Sequence, residues 1–259
     1  MTSSRQAVPP FVHLAAHPLR WQLLNELSGS DYRVRELVGL VGEPQNLVSY
    51  HLRLLREGGL VRTTRSSHDG RDSYYHMDLD RCAETLIGAG TELHPALRLS
   101  IVPPVFDPAE PLSVLFVCSG NSARSAIAEA LLRHHSGGRV EAVSAGSRPK
   151  PTMHPNAVRV LREEFGIDIS TQTPRHLDTL AGHRFDAVIT LCDKAREVCP
   201  DFGQAPRRIH WSIPDPAVAN GTDEDNYPIF QATTTEIDTR VRHLLPTLTA
   251  VGLTRRNQR

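Results

Sequence analysis

Hydrophobic positions along the chain follow two rhythms. In the first hundred residues they recur mainly at helical spacing. Leu14, Leu19, Leu23, Leu24 and Leu27 mark a helix over residues 13–27 with Pro18 in a first turn, and Val34, Leu37 and Val38 mark a second. Glu43, Pro44 and Gln45 open a third helix, in which Leu47, Val48, Leu52 and Leu55 are expected to be buried while Gln45, Asn46, Ser49, His51 and Arg53 lie off that face. Gly58 and Gly59 end it. Two strands at 60–64 and 73–77, joined by a polar turn containing Asp69 and Gly70, read as a β-hairpin, and a last helix carries Cys82.

Past residue 111 the rhythm alternates. Strands are expected at 114–117, 139–145, 185–191 and 207–212, and helices from the turn after Cys118 to about His135, at 154–165 and at 226–248. Such alternation predicts an α/β domain with a doubly wound, parallel, four-stranded sheet and right-handed crossovers. Ligands in such sheets bind beyond the carboxyl ends of the strands. Cys118 ends the first strand, Cys192 ends the third and Asp215 follows the fourth, so all three should share one edge. Pro95, Pro103, Pro104, Pro108 and Pro111 impose an extended spacer between the two patterns. The expected organisation is a helical domain with a hairpin at 10–95, a linker at 96–111 and the α/β domain at 112–250.

Composition narrows the function classes. The formal net charge of the 259 residues is zero, which gives no global case for nucleic acid or membrane. No apolar run approaches the roughly 20 residues of a membrane span, and MTSSRQAVPP has no signal-peptide core, so a cytoplasmic protein without a membrane partner is expected. In that compartment four cysteines point to chemistry rather than to a disulfide framework. Locally the balance differs, since residues 49–71 hold Arg53, Arg56, Arg62, Arg65 and Arg71 against Glu57 and Asp69. Such a stripe suffices for phosphate contacts.

The densest chemistry lies in VLFVCSGNSARSAIAE, residues 114–129, where a strand hands over to a helix N-terminus at Cys118. A ring of peptide groups from Ser119, Gly120, Asn121, Ser122, Ala123 and Arg124 there suits a tetrahedral oxyanion, and the same field favours a cysteine thiolate as nucleophile. Arg124 can grip two oxygens through its planar fork, and Ser125 can donate to the thiolate. This C-x5-R-S loop resembles the phosphate-binding loop of low-molecular-weight tyrosine phosphatases and of the related thioredoxin-coupled arsenate reductases. Asp215-Pro216, in WSIPDPA, resembles their general-acid loop, and Cys192, Cys199 and Pro200, in TLCDKAREVCP, resemble the reductase pattern.

That resemblance implies that Cys118 attacks arsenate and Asp215 protonates the leaving oxygen. Cys192 then attacks Cys118 to expel arsenite, and Cys199 captures Cys192 in a disulfide that thioredoxin reduces. If 192–199 is a continuous helix, a rise of about 1.5 Å per residue puts the two Cα atoms near 10 Å apart, so the segment must unwind to form a disulfide. No tightly bound cofactor is implied. Asn121, Glu129 and Ser144 resemble positions that bind a potassium ion in some relatives, and Ala123 stands where many relatives carry another cysteine.

The stretch SYHLRLLREGGLV, residues 49–61, with Tyr74 and Tyr75 in the second hairpin strand, resembles the ArsR/SmtB family of repressors over about residues 10–95. The resemblance implies a winged helix-turn-helix that binds a double-stranded DNA operator as a homodimer. Gln45, Asn46, Ser49, His51 and Arg53 would face the groove, with Arg65 and Arg71 on the wing. One departure is that residues 32–37, matching the place of the arsenite-binding cysteine pair of some relatives, contain no thiol, and Cys82 alone cannot chelate trivalent arsenic. The fusion therefore reads as a regulator joined to an arsenate reductase. Rival readings are a tyrosine phosphatase joined to a regulator, and a catalytically silent arsenic or redox sensor. A low-molecular-weight thiol is the alternative to thioredoxin.

Overall fold

The computed structural model describes residues 8–66, 70–97, 112–200, 202, 207–218 and 222–256. Asp69 of the expected hairpin turn and most of the expected linker, 98–111, lie outside the described residues. The chain divides into two compact units.

The first unit runs α1 (Pro10–Ala15), α2 (Pro18–Gly29), β1 (Tyr32–Arg33), α3 (Val34–Val41), α4 (Gln45–Glu57), β2 (Val61–Arg65), β3 (Ser73–Met77) and α5 (Leu79–Leu93). Where one helix was expected over 13–27 there are two. Pro18 has no N–H to continue α1, and His17 caps a new start by accepting from the Leu19 amide at 3.2 Å. The hairpin is an antiparallel pair, with Arg65 opposite Ser73 and Val61 opposite Met77. β3 also pairs with β1, giving the order β1-β3-β2. Two residues are too short a strand to show alternation, so β1 left no trace in the pattern.

The inner face of α4 departs from expectation at two positions. Val48, His51, Leu52 and Leu55 are buried, at the i, i+3, i+4, i+7 spacing of one helix face. Leu47 is exposed, and His51 turns inward to stack on His17 with ring centroids 4.3 Å apart. Burial, with the nearby His17 and Arg20, pushes the His51 pKa below its ordinary value, so the ring is neutral at pH 7. Cys82 of α5 is half-buried beside the Leu60 carbonyl, 3.6 Å from its sulfur. Burial, aided by Asp78, pushes its thiol up to about 11.

The second unit runs β4 (Leu112–Cys118), α6 (Arg124–His135), β5 (Val140–Gly146), α7 (Pro155–Phe165), β6 (Ala187–Thr190), α8 (Asp193–Val198), β7 (Arg207–His210) and α9 (Asp223–Arg256). Its four strands are all parallel, in the order β5-β4-β6-β7. β4 is central, and Val114 to Val117 are fully buried, as a strand covered on both faces requires. After β4 the chain goes first to one side, to β5, and then to the other, to β6, which makes the carboxyl end of β4 the switch point of the sheet. The register levels the strand ends there, pairing Cys118 with Gly146, Val117 with Thr190 and Thr190 with His210.

α6 is buried along almost its whole length, packing on β4, β5 and α9. Its small residues Ala126, Ala128 and Ala130 allow that close approach. α9 starts earlier than residue 226 and continues past 248, through Pro228 and Pro246. Its acidic first turn, Asp223 to Asp225, suits the helix dipole.

Two measurements check these placements. Leu52→Ala should destabilise the first unit by about 2–5 kcal/mol in urea unfolding, and the exposed Leu47→Ala by less than about 1 kcal/mol. At pH 8 iodoacetamide should label Cys82 roughly a hundredfold more slowly in the native chain than in urea. The native rate should climb about tenfold per pH unit towards pH 11, because only the thiolate reacts and its pKa is raised.

Candidate functional site

Cys118 closes β4 and the next residues wrap around its sulfur. The Asn121 amide donates to Sγ at 3.2 Å, and the Ser125 hydroxyl lies 3.0 Å from it. Four loop carbonyls are tied outward: those of Cys118, Ser119, Gly120 and Ser122 accept from the amides of Ser147, Arg148, Lys150 and His154. With the carbonyls occupied from outside, peptide N–H groups are left to face an anion over the cysteine, beside the N-terminus of α6.

Asn121 holds the turn in shape with φ +47°, the one positive φ among the described non-glycine residues. Its Nδ2 donates to Ser125 Oγ at 3.0 Å and to Ser144 Oγ at 2.8 Å, while Oδ1 accepts from the Arg175 amide at 2.8 Å. Gly146 at the end of β5 is required by contact. A Cβ there would stand 2.6 Å from the Ser119 carbonyl oxygen and 3.0 Å from the Asn121 amide.

Arg124 is 4 % exposed and therefore needs partners. Its guanidinium donates to Asp215 Oδ2 at 2.8 Å and to the Ile213 carbonyl at 2.9 Å. The two groups expected to bind and to protonate an oxyanion are thus paired with each other. Cys192, the N-cap of α8, is buried with its sulfur 3.3 Å from Ser119 Oγ. Burial pushes its thiol above the ordinary value, against the opposing pull of Arg124. Cys199 caps the other end of α8, half-buried, and burial raises its pKa as well. All four cysteines are free. The helix between Cys192 and Cys199 is continuous, with the Arg196 amide donating to the Cys192 carbonyl at 3.1 Å.

Sequence reading missed what anchors Cys192. Asp193, the first residue of α8, is buried with Oδ1 3.0 Å from both His210 Nε2 and Ser212 Oγ. Burial works against its ionisation, yet the hydrogen bonds from His210 and Ser212 hold its pKa below the ordinary value. The partners are 17 and 19 residues away, beyond any local pattern.

The three residues matched to a potassium site do meet, but their donor set does not fit a cation. Arg133 Nη2 donates to Glu129 Oε1 at 2.5 Å, Ser144 Oγ donates to Glu129 Oε2 at 2.5 Å, and Asn121 presents an N–H to Ser144. The acceptor oxygens are occupied, and Arg133 already balances the buried Glu129. An ion at the expected place would have to share these oxygens with Arg133 and with the hydrogen bonds between them. The signal lay in the sequence as an i,i+4 Glu129–Arg133 pair on α6.

In the first unit Gln45, Asn46, Ser49 and Arg53 are exposed on α4, and Arg65 and Arg71 are exposed on the hairpin. His51 is 4 % exposed and cannot reach a base, which corrects its assignment to the groove-facing set. Tyr50, not anticipated, is exposed on α4 with the Arg53 guanidinium 5.5 Å from its ring centre.

Residues 113–254 match the family model of low molecular weight phosphotyrosine protein phosphatases, and residues 17–63 match that of bacterial regulatory proteins of the arsR family. The chain belongs to the low molecular weight phosphotyrosine protein phosphatase family, with an arsR-family helix-turn-helix preceding that domain. Its C-terminal half is arsenate reductase-like. It is 40 % identical over 135 residues to an arsenate reductase of Bacillus licheniformis, covering 52 % of this chain and 96 % of that protein. It is 37 % identical over 134 residues to an arsenate reductase of Bacillus subtilis, covering 52 % of this chain and 95 % of the relative. A solved structure described as an arsenate reductase in the phosphate binding state aligns with 52 % of this chain and 98 % of its own, at 30 % identity and a TM-score of 0.45. Among the described residues no helix is long and apolar enough to cross a membrane.

With Arg133 already paired to Glu129, exchanging potassium for sodium chloride at equal ionic strength should leave the melting temperature of the chain unchanged. A rise specific to potassium would contradict the occupied donor set.

Proposed function

We propose that the second unit reduces arsenate to arsenite by a three-cysteine relay and that the first binds double-stranded DNA as a homodimer. The observation that carries the enzymatic reading is the convergence of Cys118, Arg124, Asp215 and Cys192 at the switch point of the sheet, with Cys199 one short helix away. A phosphatase needs the first three of these, whereas a reductase also needs thiols to supply two electrons.

Arsenate enters the loop and competes with Asp215 for the Arg124 guanidinium. Displaced from Arg124, Asp215 takes up a proton from solvent, and as the Cys118 thiolate attacks arsenic it passes that proton to the departing hydroxyl, which leaves as water. The Cys192 thiolate then attacks Cys118 Sγ. The sulfur–arsenic bond breaks, its electron pair stays on arsenic, and arsenite leaves as a Cys118–Cys192 disulfide forms. Cys199 attacks Cys192 and releases Cys118, and a dithiol protein of the thioredoxin type reduces the resulting Cys192–Cys199 disulfide. Those two cysteines cap a helical segment whose ends are about 10 Å apart, so α8 unwinds as the disulfide closes.

For the first unit, exposed Gln45, Asn46, Ser49 and Arg53 on α4 read base edges, and Arg65 and Arg71 meet phosphates. Arsenate reduction by the full chain with thioredoxin, its reductase and NADPH tests the enzymatic reading. Cys118→Ser, Cys192→Ser and Cys199→Ser should each lower kcat by about a thousandfold or more. Full turnover of an aryl phosphate by Cys192→Ser, with no arsenate reduction by the unaltered chain or with other thiol donors, would establish the phosphatase instead.

A further inference from the structure

Residues on both sides of Cys192, Thr190 and Asp193, are clamped to one buried histidine. His210, 3 % exposed on β7, lies 2.9 Å from Thr190 Oγ1 through Nδ1 and 3.0 Å from Asp193 Oδ1 through Nε2. Nε2–H donates to the carboxylate, and Nδ1 shares a hydrogen bond with the Thr190 hydroxyl. Ser212 adds a second hydrogen bond to the same carboxylate oxygen, and the Trp211 amide donates to the Thr190 carbonyl at 2.8 Å. Thr190 precedes Cys192 by two residues and Asp193 follows it directly, so the backbone is fixed on both sides of the sulfur.

The opposite end of α8 is different. There Glu197 and Val198 are exposed, Cys199 is half-buried against the core, Pro200 has no amide to donate, and its carbonyl accepts from the exposed Arg208 guanidinium at 3.2 Å. One end of the segment is held by buried side-chain hydrogen bonds, and the other by an exposed one.

On the relay proposed above, we infer that Asp193 and His210 are positioning residues for its second and third steps. They hold Cys192 at the Cys118 loop as the fixed end about which residues 194–199 unwind. Cys192 can then attack the Cys118–arsenic bond without itself moving, and Cys199 travels to Cys192. Were the fixed end lost, unwinding would carry Cys192 away from Cys118 together with the helix. The clamp acts after arsenate has bound, so its removal separates binding from turnover.

The test uses the full chain carrying Asp193→Ala, with Asp193→Asn as the conservative variant and Cys192→Ser as the relay control. Protection of Cys118 from iodoacetamide by inorganic phosphate reports whether the anion loop is intact, and it should be unchanged in Asp193→Ala. In arsenate reduction kcat should fall about tenfold to a hundredfold while KM for arsenate stays within about twofold, the signature of a misplaced group rather than a lost binding site. In a single turnover without reductant, the Cys118–Cys192 and Cys192–Cys199 disulfides seen by mass spectrometry should form correspondingly slowly. Asp193→Asn, which keeps an acceptor for Ser212 and His210, should recover part of the rate.

If Asp193→Ala does not fold, Ser212→Ala is read in its place, with a lower kcat at constant KM expected. Wild-type kcat in Asp193→Ala, or in Ser212→Ala when that stands in, overturns the clamp while leaving the relay in place. An unaltered chain that reduces no arsenate, or a Cys192→Ser variant with full reduction, overturns the relay itself and the clamp with it.

Discussion

A cysteine sulfur at the end of a dry strand must find polar partners, and every other feature of the second unit follows from how it does so. Cys118 sits where the chain leaves β4, a strand with no solvent on either face. The loop returns the Asn121 amide and the Ser125 hydroxyl to Sγ, which requires a left-handed turn at Asn121. That turn is held by Ser144 from the neighbouring strand, and Ser144 is held by the buried Glu129. Glu129 in turn requires Arg133. A chain of hydrogen bonds therefore runs from the half-exposed guanidinium of Arg133 to the thiol, with each buried polar group answered by the next.

Much of this was legible in the sequence, because local geometry carries it. An apolar run, a turn of small polar residues and an alanine-rich helix place Cys118, Arg124 and Ser125 within one strand–turn–helix, and the structure has them there. The topology also brings Cys192 and Asp215 to the same edge, because strand ends in a parallel sheet lie level. What failed to show was tertiary. The Asp193–His210 contact joins two strands' exits, and neither residue marks itself as a partner by composition or period. In α4 polarity points to Leu47 inside and His51 outside, whereas the i, i+3, i+4 geometry of the helix buries the imidazole and exposes the leucine. Helix phase outranks side-chain polarity when a ring such as His17 is available for stacking. The short strand β1 and the break at Pro18 were lost because pattern arguments blur over two or three residues.

The two sulfurs after Cys118 stand in contrasting surroundings. Cys192 is encased and pinned through its neighbours, while Cys199 lies at the end of a six-residue helix with an exposed outer face. Burial raises the pKa of both, which keeps them as thiols in the resting chain. Short helices draw little stability from their own hydrogen bonds. α8 can therefore open at modest cost, while the sheet that carries the cysteines stays whole.

The ion pair between Arg124 and Asp215 means that the resting loop is guarded by its own anion. Any ligand must displace a carboxylate already 2.8 Å from the guanidinium, so observed affinity is a difference between two anions competing for one cation. A monovalent ion gains little from that exchange. A tetrahedral anion carrying two charges gains both the fork of Arg124 and the peptide groups of the loop, neither of which a single carboxylate can use together. Selection for charge and shape is thus set before any ligand reaches the sulfur, and a displaced Asp215 is left beside the anion that took its place.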